Sequence, residues 1–320
     1  MNEPPAVPER PLLKPWYRLV QAEDGFLLEH GRSVVVFGGA AATTLLPALL
    51  PLLDGTRTIA EVVEVVGPEV TAAVEQALRL LAENNLLTEG PRLGVDSGPR
   101  RAVVETLAAA AGPRTTMHEL AERLATARIL VVGRGQSAEP LGRLLHLSGF
   151  EAVTRIDRAG EQEALVVVAP GPDEPGLYDE WNLRALRDGV AWIPVGEYDG
   201  RTVSIGPLIV PHEGPCYTCL QLRRDSTSGC ARELAQLSGI PAAAVARPAL
   251  LAAAAALATE VVVRWVVAGD PGLPGALFTL ESIPQFRVES HVVLRVPRCT
   301  SCSPAAAAAP QSPWHEARVA

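Results

Sequence analysis

Two pairs of cysteines at the same spacing constrain the fold of this chain more than any other feature. The first pair is Cys216 and Cys219 in "GPCYTC", and the second is Cys299 and Cys302 in "RCTSC". Two such pairs are the ligand set of a tetrahedral thiolate zinc site, because each pair supplies two sulfurs to one ion. Four thiolates would tie distant segments together and leave no open position for catalysis. The alternatives are two unrelated pairs or a redox couple, although no strand-turn-helix unit opens at either pair.

The composition favours a cytoplasmic protein with two domains. At 320 residues the chain is long enough for two cores, and its net charge of -8 gives no reason to expect nucleic acid or an anionic membrane as a partner. The start of the chain has no basic region followed by an apolar stretch, so no signal peptide is predicted. The apolar run at 249–269 contains Glu260 and Arg264 four positions apart, as in a helical ion pair, and is predicted to be a buried helix.

Residues 14–90 are predicted to form a winged-helix-like α+β module. Three strand-like runs, "WYRLV", "GFLLEH" and "SVVVFGG", precede three helical segments, of which "PEVTAAVEQALRLLAENNLL" is the clearest. Modules of this shape often bind DNA, so a DNA-binding regulator with a zinc-stabilised domain is one hypothesis. Residues 1–90, however, carry twelve acidic side chains against six basic ones, and such a surface repels the phosphate backbone.

The same stretch resembles the PqqD-like peptide-recognition element of modified-peptide biosynthesis. The resemblance is carried by "DGFLLEHGRSVVVF", "LLDGTRTIAEVVEVV" and "LRLLAENNLLTEG". In that family a leader peptide adds as an extra strand to the edge of the three-stranded sheet and packs against the third helix, which is β-augmentation. The peptide-binding residues that the resemblance implies, on an edge strand and a facing helix, are Ser33, Val34, Val35, Val36, Phe37, Ala73, Gln76, Ala77 and Leu80.

Residues 126–303 are predicted to form a doubly wound, mainly parallel α/β sheet. In "ARILVVGRGQSAEPLGRLLHLSGFEAVTRID", a strand, a glycine turn, a helix and a second strand follow one another. Gly133, Gly135 and Ala138 satisfy the Gly-x-Gly-x-x-Gly/Ala fingerprint, and Asp157 closes the second strand. Alone, the fingerprint predicts a nucleotide with its phosphates at the helix start and its ribose on Asp157. The alternative is a turn kept only for packing.

The strand order leading into "GPCYTC" resembles the ubiquitin-activating or ThiF-type fold, in which zinc-binding pairs occupy the same relative places. Active members adenylate a carboxylate with an aspartate on ribose, an arginine beyond it and a lysine. Here only "RAGEQE" follows Asp157 before the next strand, and Lys14 is the only lysine of the chain. These departures indicate a degenerate nucleotide site, so ATP is not expected on this chain.

Cys230, in "RRDSTSGCAREL", is the one candidate for a catalytic residue. Sulfur-transferring relatives of the ThiF type carry a nucleophilic cysteine in a comparable loop. A partly exposed thiol close to Arg223, Arg224 and Arg232 would have a lowered pKa. The alternative is that Cys230 is a small buried residue, as single cysteines often are.

Together, the two halves resemble the partner protein of azole-forming cyclodehydratases, which act in thiopeptide and related biosynthesis. That resemblance implies that the chain captures the leader of a ribosomal precursor and presents it to a separate YcaO-type enzyme, which uses ATP to cyclise cysteine, serine or threonine. It also implies structural zinc and a homodimer without nucleic-acid or membrane partners. Residues 91–125 are predicted to be a connector, and residues 1–13 and 304–320 flexible ends. The main alternative is an active adenylating enzyme that acts on a peptide or carrier-protein carboxylate.

Overall fold

The computed structural model describes most of the chain. The described residues are 6–14, 17–30, 32–94, 98–108, 115–156, 165–230, 232–233, 236 and 245–303. They form two compact units, residues 1–124 and 125–320. The predicted connector, residues 91–125, is therefore not a separate segment, because it belongs to the first unit up to Leu124.

The first unit is a small α+β module. It contains a three-stranded antiparallel sheet in the order β2-β3-β4 and a separate pair of strands, β1 and β5. Its strands are β1 (Pro11–Leu13), β2 (Arg18–Ala22), β3 (Gly25–His30), β4 (Ser33–Gly38) and β5 (Leu87–Glu89). Its helices are α1 (Ala40–Thr44), α2 (Leu46–Leu49), α3 (Ile59–Val66), α4 (Thr71–Glu83), α5 (Pro99–Ala108) and α6 (Met117–Thr126).

The helix boundaries follow from local chemistry. Thr58 caps α3, where its hydroxyl accepts from the Glu61 amide and the Glu61 carboxylate accepts from the Thr58 amide. The apolar segment between β4 and Gly55 is divided into α1, α2 and a 3-10 turn (Leu50–Leu52). Pro47 and Pro51 explain the break, because proline lacks the amide that a continuous helix needs.

One core joins the sheet of the first unit to its helices. Phe26 and Leu28 of β3 are buried together with Val74, Leu78 and Leu81 of α4. These three α4 residues recur at helical spacing, so a single face of α4 covers the sheet. The opposite face of α4 is left at the surface.

The start of the chain is more ordered than the sequence predicted. Residues 1–13 were expected to be flexible, yet β1 pairs antiparallel with β5. The Glu89 carboxylate accepts hydrogen bonds from the amides of Glu9 and Arg10, each at 2.8 Å. These bonds hold the segment because they satisfy backbone donors ahead of the strand.

Lys14, which follows β1, is buried, and its Nζ donates to Asn85 Oδ1 at 2.8 Å. Burial lowers the pKa of Lys14 to about 8. Below pH 8 the folded state holds the Lys14 ammonium buried, which lowers the free energy of unfolding. This loss disappears as the pH rises towards the unfolded pKa. The stability of the wild type should therefore rise between pH 8 and about 10.5.

We expect Lys14→Met to exceed the wild type in unfolding free energy by up to about 3 kcal/mol at pH 7. The difference should shrink as the pH rises from 8 and approach zero only above about pH 10.5, where the wild-type amine is neutral in the unfolded state as well as in the folded state. Denaturant unfolding of both full-length proteins across this pH range measures it. A difference that does not change with pH would mean that the Lys14 charge carries no cost.

The second unit contains a parallel and an antiparallel sheet. The parallel sheet has the order β7-β6-β8-β9, and the antiparallel sheet the order β10-β11-β12. Its strands are β6 (Arg128–Val132), β7 (Ala152–Ile156), β8 (Leu165–Val168), β9 (Trp192–Pro194), β10 (Thr202–Ile205), β11 (Ala276–Glu281) and β12 (Arg287–Val292). Its helices are α7 (Ala138–Leu147), α8 (Leu177–Asp188), α9 (Tyr217–Thr227) and α10 (Pro248–Val263). A mixed α/β unit with a parallel sheet agrees with the predicted fold class.

Helix α10 and the π-helical turn after it form the apolar run seen in the sequence. By length and composition Pro248–Ala268 could cross a membrane, and half of its apolar window is buried inside the protein. Ala254, Ala255 and Ala258 are wholly buried, and the helix packs against α7 and β10. Arg264 was predicted to pair with Glu260, but its guanidinium pairs with Asp270 instead.

Candidate functional site

The four paired cysteines meet in one buried cluster. Cys216 Sγ lies 3.6 Å from Cys299 Sγ, and Cys219 Sγ lies 3.5 Å from Cys302 Sγ. All four sulfurs lie within 4.8 Å of one another, and none forms a disulfide. Four sulfurs bound at about 2.3 Å to one tetrahedral ion are about 3.8 Å apart, so the donor set fits a metal such as zinc.

The thiols of the cluster differ in how readily they lose a proton. Burial raises the pKa of the Cys216 thiol. At Cys299 burial also raises the pKa, but backbone donors at Cys302 and Ser301 outweigh it and bring the pKa to about 7. The amide of Val296 donates to Cys219 Sγ at 3.3 Å, as amides around thiolate sites do. A metal would supply the positive charge that four buried thiolates need.

Helix α9 begins at this cluster, and a small polar network fixes its position. Cys216 is the N-cap residue of α9. Asn182 of α8 is 1% exposed, and its Oδ1 accepts from the Tyr217 amide at 2.9 Å. The Thr218 hydroxyl lies 3.2 Å from Asn182 Nδ2 and 2.8 Å from the Ser301 hydroxyl. The first turn of α9 is therefore bound to both cysteine pairs.

The predicted nucleotide turn is present, but the amides of Arg134 and Gly135 already have acceptors within the protein. Gly133 has a φ of 103°, and a Cβ there would lie 2.3 Å from the Ala169 carbonyl oxygen. Gly135 donates its amide to the same oxygen at 2.9 Å. Ala138 is buried at the start of α7. Asp157, expected to bind ribose, lies outside the described residues.

An internal carboxylate occupies the position where an anion would approach this turn. Glu174 Oε2 accepts from the amides of Arg134 at 2.7 Å and Gly171 at 2.8 Å. The Arg134 guanidinium pairs with both Asp173 and Glu174. This contact could not be predicted from the sequence, because Glu174 lies forty residues beyond Arg134. Close packing explains the glycines without a bound nucleotide.

Strand β4, predicted to be the peptide-binding edge, pairs with β3 and with no other strand in the described part of the chain. The register continues to Gly39, whose amide donates to the Asp24 carbonyl. Hydrogen-bonded pairs alternate along an antiparallel ladder, so the amides of Val34 and Val36 point to the free edge. Their side chains are 54% and 67% exposed.

The other predicted peptide-binding residues divide between the core and the surface. Val35, Phe37 and Ala77 are partly buried and pack against the core of the first unit. The remaining four, which are exposed, are Ser33, Ala73, Gln76 and Leu80. Leu80 is notable because it is 38% exposed on a helix whose other leucines are buried.

Cys230 is exposed, unlike the four clustered cysteines. Its Sγ lies 3.2 Å from the Ser228 hydroxyl. Arg223, expected beside it, donates instead to the carbonyls of Leu294 and Arg295. One of the three arginines expected close to Cys230 is therefore bound elsewhere.

A cavity of about 790 Å³ in the second unit was not foreseen from the sequence. It lies beyond the carboxyl ends of β8 and β9, where open α/β sheets bind ligands. Its walls also include the face of the antiparallel sheet and one side of α9, with Tyr178, Glu197, Ser204, Tyr217, Arg224 and His291 among the lining residues. These residues come from distant segments, so no local sequence pattern marks them.

No protein-family model matches the chain, and neither does any curated protein. Solved structures do match. A heterocyclase in complex with substrate and cofactor is 24% identical with a TM-score of 0.68, over 92% of this chain and 39% of its own. The heterocyclase TruD is 23% identical with a TM-score of 0.69, over 92% of this chain and 43% of its own.

Escherichia coli MccB is 15% identical with a TM-score of 0.68, over 92% of this chain and 96% of its own. MccB has also been solved with ATP and with MccA. The chain thus spans about two fifths of the length of the two heterocyclases and nearly the whole of MccB. At these identities the comparisons show a shared fold, which is consistent with the ThiF-like prediction.

Proposed function

We propose that the first unit binds the leader of a ribosomally made precursor by adding it as a strand to β4. The observation that carries this proposal is an edge with outward amides at Val34 and Val36 whose apolar side chains are exposed. Folded proteins usually protect such an edge with charges, bulges or proline, because it pairs readily with other chains. An extended peptide would satisfy the amides and cover the valines.

Helix α4 is the proposed second wall of the peptide site. Ala73, Gln76 and Leu80 share its exposed side, and an exposed leucine beside small residues suits an apolar anchor of the leader. Val35, Phe37 and Ala77 would support the site from the core side. The domain limits for this function are 14–90, extended by β1, which pairs within the same unit.

The second unit is proposed to act as a scaffold whose four thiols hold structural zinc. We infer that cyclisation is performed by a separate YcaO-type chain, because the Glu174 carboxylate fills the position where a phosphate would meet the glycine turn. The heterocyclases that share the fold are much longer chains, which leaves room in them for a further part. The scaffold is proposed to be cytoplasmic and dimeric.

The direct test is a titration of the fluorescein-labelled leader of a candidate precursor peptide with the full chain. Anisotropy should rise to saturation, and the unlabelled leader should compete. The YcaO-type enzyme alone should cyclise the precursor poorly, and adding this chain should restore the reaction. Binding of the core peptide but not of the leader would contradict the proposal.

Adenylation is the second candidate function, since the glycine turn and a cavity are both present. We expect the purified chain to show no ATP–pyrophosphate exchange, with or without the precursor, because Glu174 and Ala169 already occupy the amides of the turn. Radiolabelled pyrophosphate exchange measures this. Turnover by the chain alone, abolished in Gly135→Val, would replace the scaffold proposal. The acidic excess of residues 1–90 leaves a DNA-binding role unsupported.

A further inference from the structure

The cavity of the second unit continues into a longer trough. A neighbouring depression of about 330 Å³ lies over the face of β10, β11 and β12. It shares Thr202, Thr279 and His291 with the cavity of about 790 Å³. The second depression is lined by threonine hydroxyls, His291 and two arginine–glutamate pairs, and the two hollows together fit an extended peptide better than a compact metabolite.

Most of the acidic groups that line the cavity are already engaged. The Asp199 carboxylate accepts from the amides of Arg201 and Thr202, and Glu174 holds the glycine turn. Glu197 is different, because it is half-buried and has neither a hydrogen bond nor an ion pair with any residue that the structure describes. Burial raises its pKa, and the charges of Asp173 and Glu174 raise it further. A cation would relieve that repulsion.

Tyr217 provides a second polar group that a ligand in the cavity could contact. It is only 9% exposed and lines the cavity, yet its hydroxyl has no hydrogen-bond partner among the described residues. The hydroxyl of neighbouring Tyr178, by contrast, donates to the Val195 carbonyl at 2.7 Å. Among the described residues, the Tyr217 hydroxyl is not one of the buried side-chain atoms that lack a partner, so it is open to the cavity and available to hydrogen-bond a ligand there. Arg224, on the same side of α9, is a further donor without a described partner.

We propose that this cavity binds a segment of the precursor that follows the leader, with a basic side chain against Glu197 and backbone carbonyls on Tyr217 and Arg224. The inference rests on the proposed function, since it supplies a second contact for the same peptide. It also gives the thiol cluster a role beyond stability. Tyr217, Leu220, Arg224 and Thr227 line the cavity from α9, and the first turn of α9 is fixed at the cluster.

The test uses two capped tripeptides, acetyl-Gly-Lys-Gly-amide and acetyl-Gly-Glu-Gly-amide, with ligand-observed NMR on the full chain. The lysine peptide should bind at least tenfold more tightly than the glutamate peptide. Glu197→Gln should weaken the lysine peptide about tenfold, and Tyr217→Phe about threefold. Glu213→Gln, an exposed glutamate outside the cavity lining, should change neither affinity.

Leader anisotropy is measured on the same variants, so that the two proposals can fail separately. Equal affinity for the two tripeptides, or no effect of Glu197→Gln, overturns the cavity assignment while leader binding stands. A wild type that does not bind the leader overturns the proposed function whatever the tripeptides do. Glu197→Gln preserves shape and removes repulsion, so folding is expected to survive. Tyr217→Phe repeats the test at a second wall.

Discussion

Removal of the metal is expected to unfold the second unit. Equilibration with a zinc chelator, or the substitution Cys219→Ser, should lower the melting temperature by about 10 °C or more, because structural zinc sites contribute several kcal/mol to folding. Without an ion, four buried sulfurs that lie within 4.8 Å of one another lose the charge that would hold them as thiolates, and the link between the two cysteine pairs is lost. The start of α9 should lose order first, since Cys216 and the Asn182 network hold it there.

The matched control is Cys230→Ser, which removes an exposed thiol of the same chain and should leave both the metal content and the melting temperature unchanged. Native mass spectrometry of the wild type should give one zinc per chain, and Cys219→Ser should give less. Differential scanning fluorimetry follows the loss of structure. A wild type that carries no metal as purified, or one that melts at the same temperature with and without the chelator, would contradict a structural metal.

The thiol cluster shows what spacing alone can predict. Cys216 and Cys219 are close because they share one helical turn, and the same spacing at Cys299 and Cys302 suggested one shared partner. The structure brings both pairs together, as expected. The Asn182 that positions Tyr217 could not be found in this way, because a buried amide in a helix has no motif of its own.

The glycine turn shows the opposite case. Gly133 and Gly135 match a nucleotide fingerprint, yet each avoids a clash with the backbone at Ala169 and Pro170. A pattern that serves both packing and phosphate binding cannot distinguish them. The deciding group is the Glu174 carboxylate, whose approach depends on the tertiary fold. Sequence therefore predicted the unit and its turn, but not whether the turn was free.

The edge of the first sheet was predicted as a strand, while the direction of its amides required the register. With Gly39 bonded to Asp24, the amides of Val34 and Val36 point outward and that of Val35 points to β3. This alternation makes a selective test possible. Proline at Val36 removes an outward amide and spares the ladder, whereas proline at Val35 would disrupt the sheet itself.

Val36→Pro is expected to weaken leader binding about tenfold or more, because one strand-adding hydrogen bond is lost and the added strand can no longer pair along the edge. Fluorescence anisotropy of the labelled leader measures the change, and circular dichroism verifies the fold. The matched control is Gln21→Pro on β2, the opposite edge of the same sheet. Its amide also points outward, since Val20 and Ala22 are the residues bonded to β3.

The two proline variants together identify the occupied edge. If the leader adds to β4, Val36→Pro loses affinity and Gln21→Pro retains it. If the result is reversed, the guest pairs with β2, and the residues assigned to α4 lose their role. If both variants fold and bind the leader as the wild type does, backbone pairing does not contribute to recognition and strand addition is excluded. Leu80→Asp tests the remaining possibility, which is that an apolar groove on α4 alone holds the leader. In that case Leu80→Asp should weaken leader binding although both proline variants retain it.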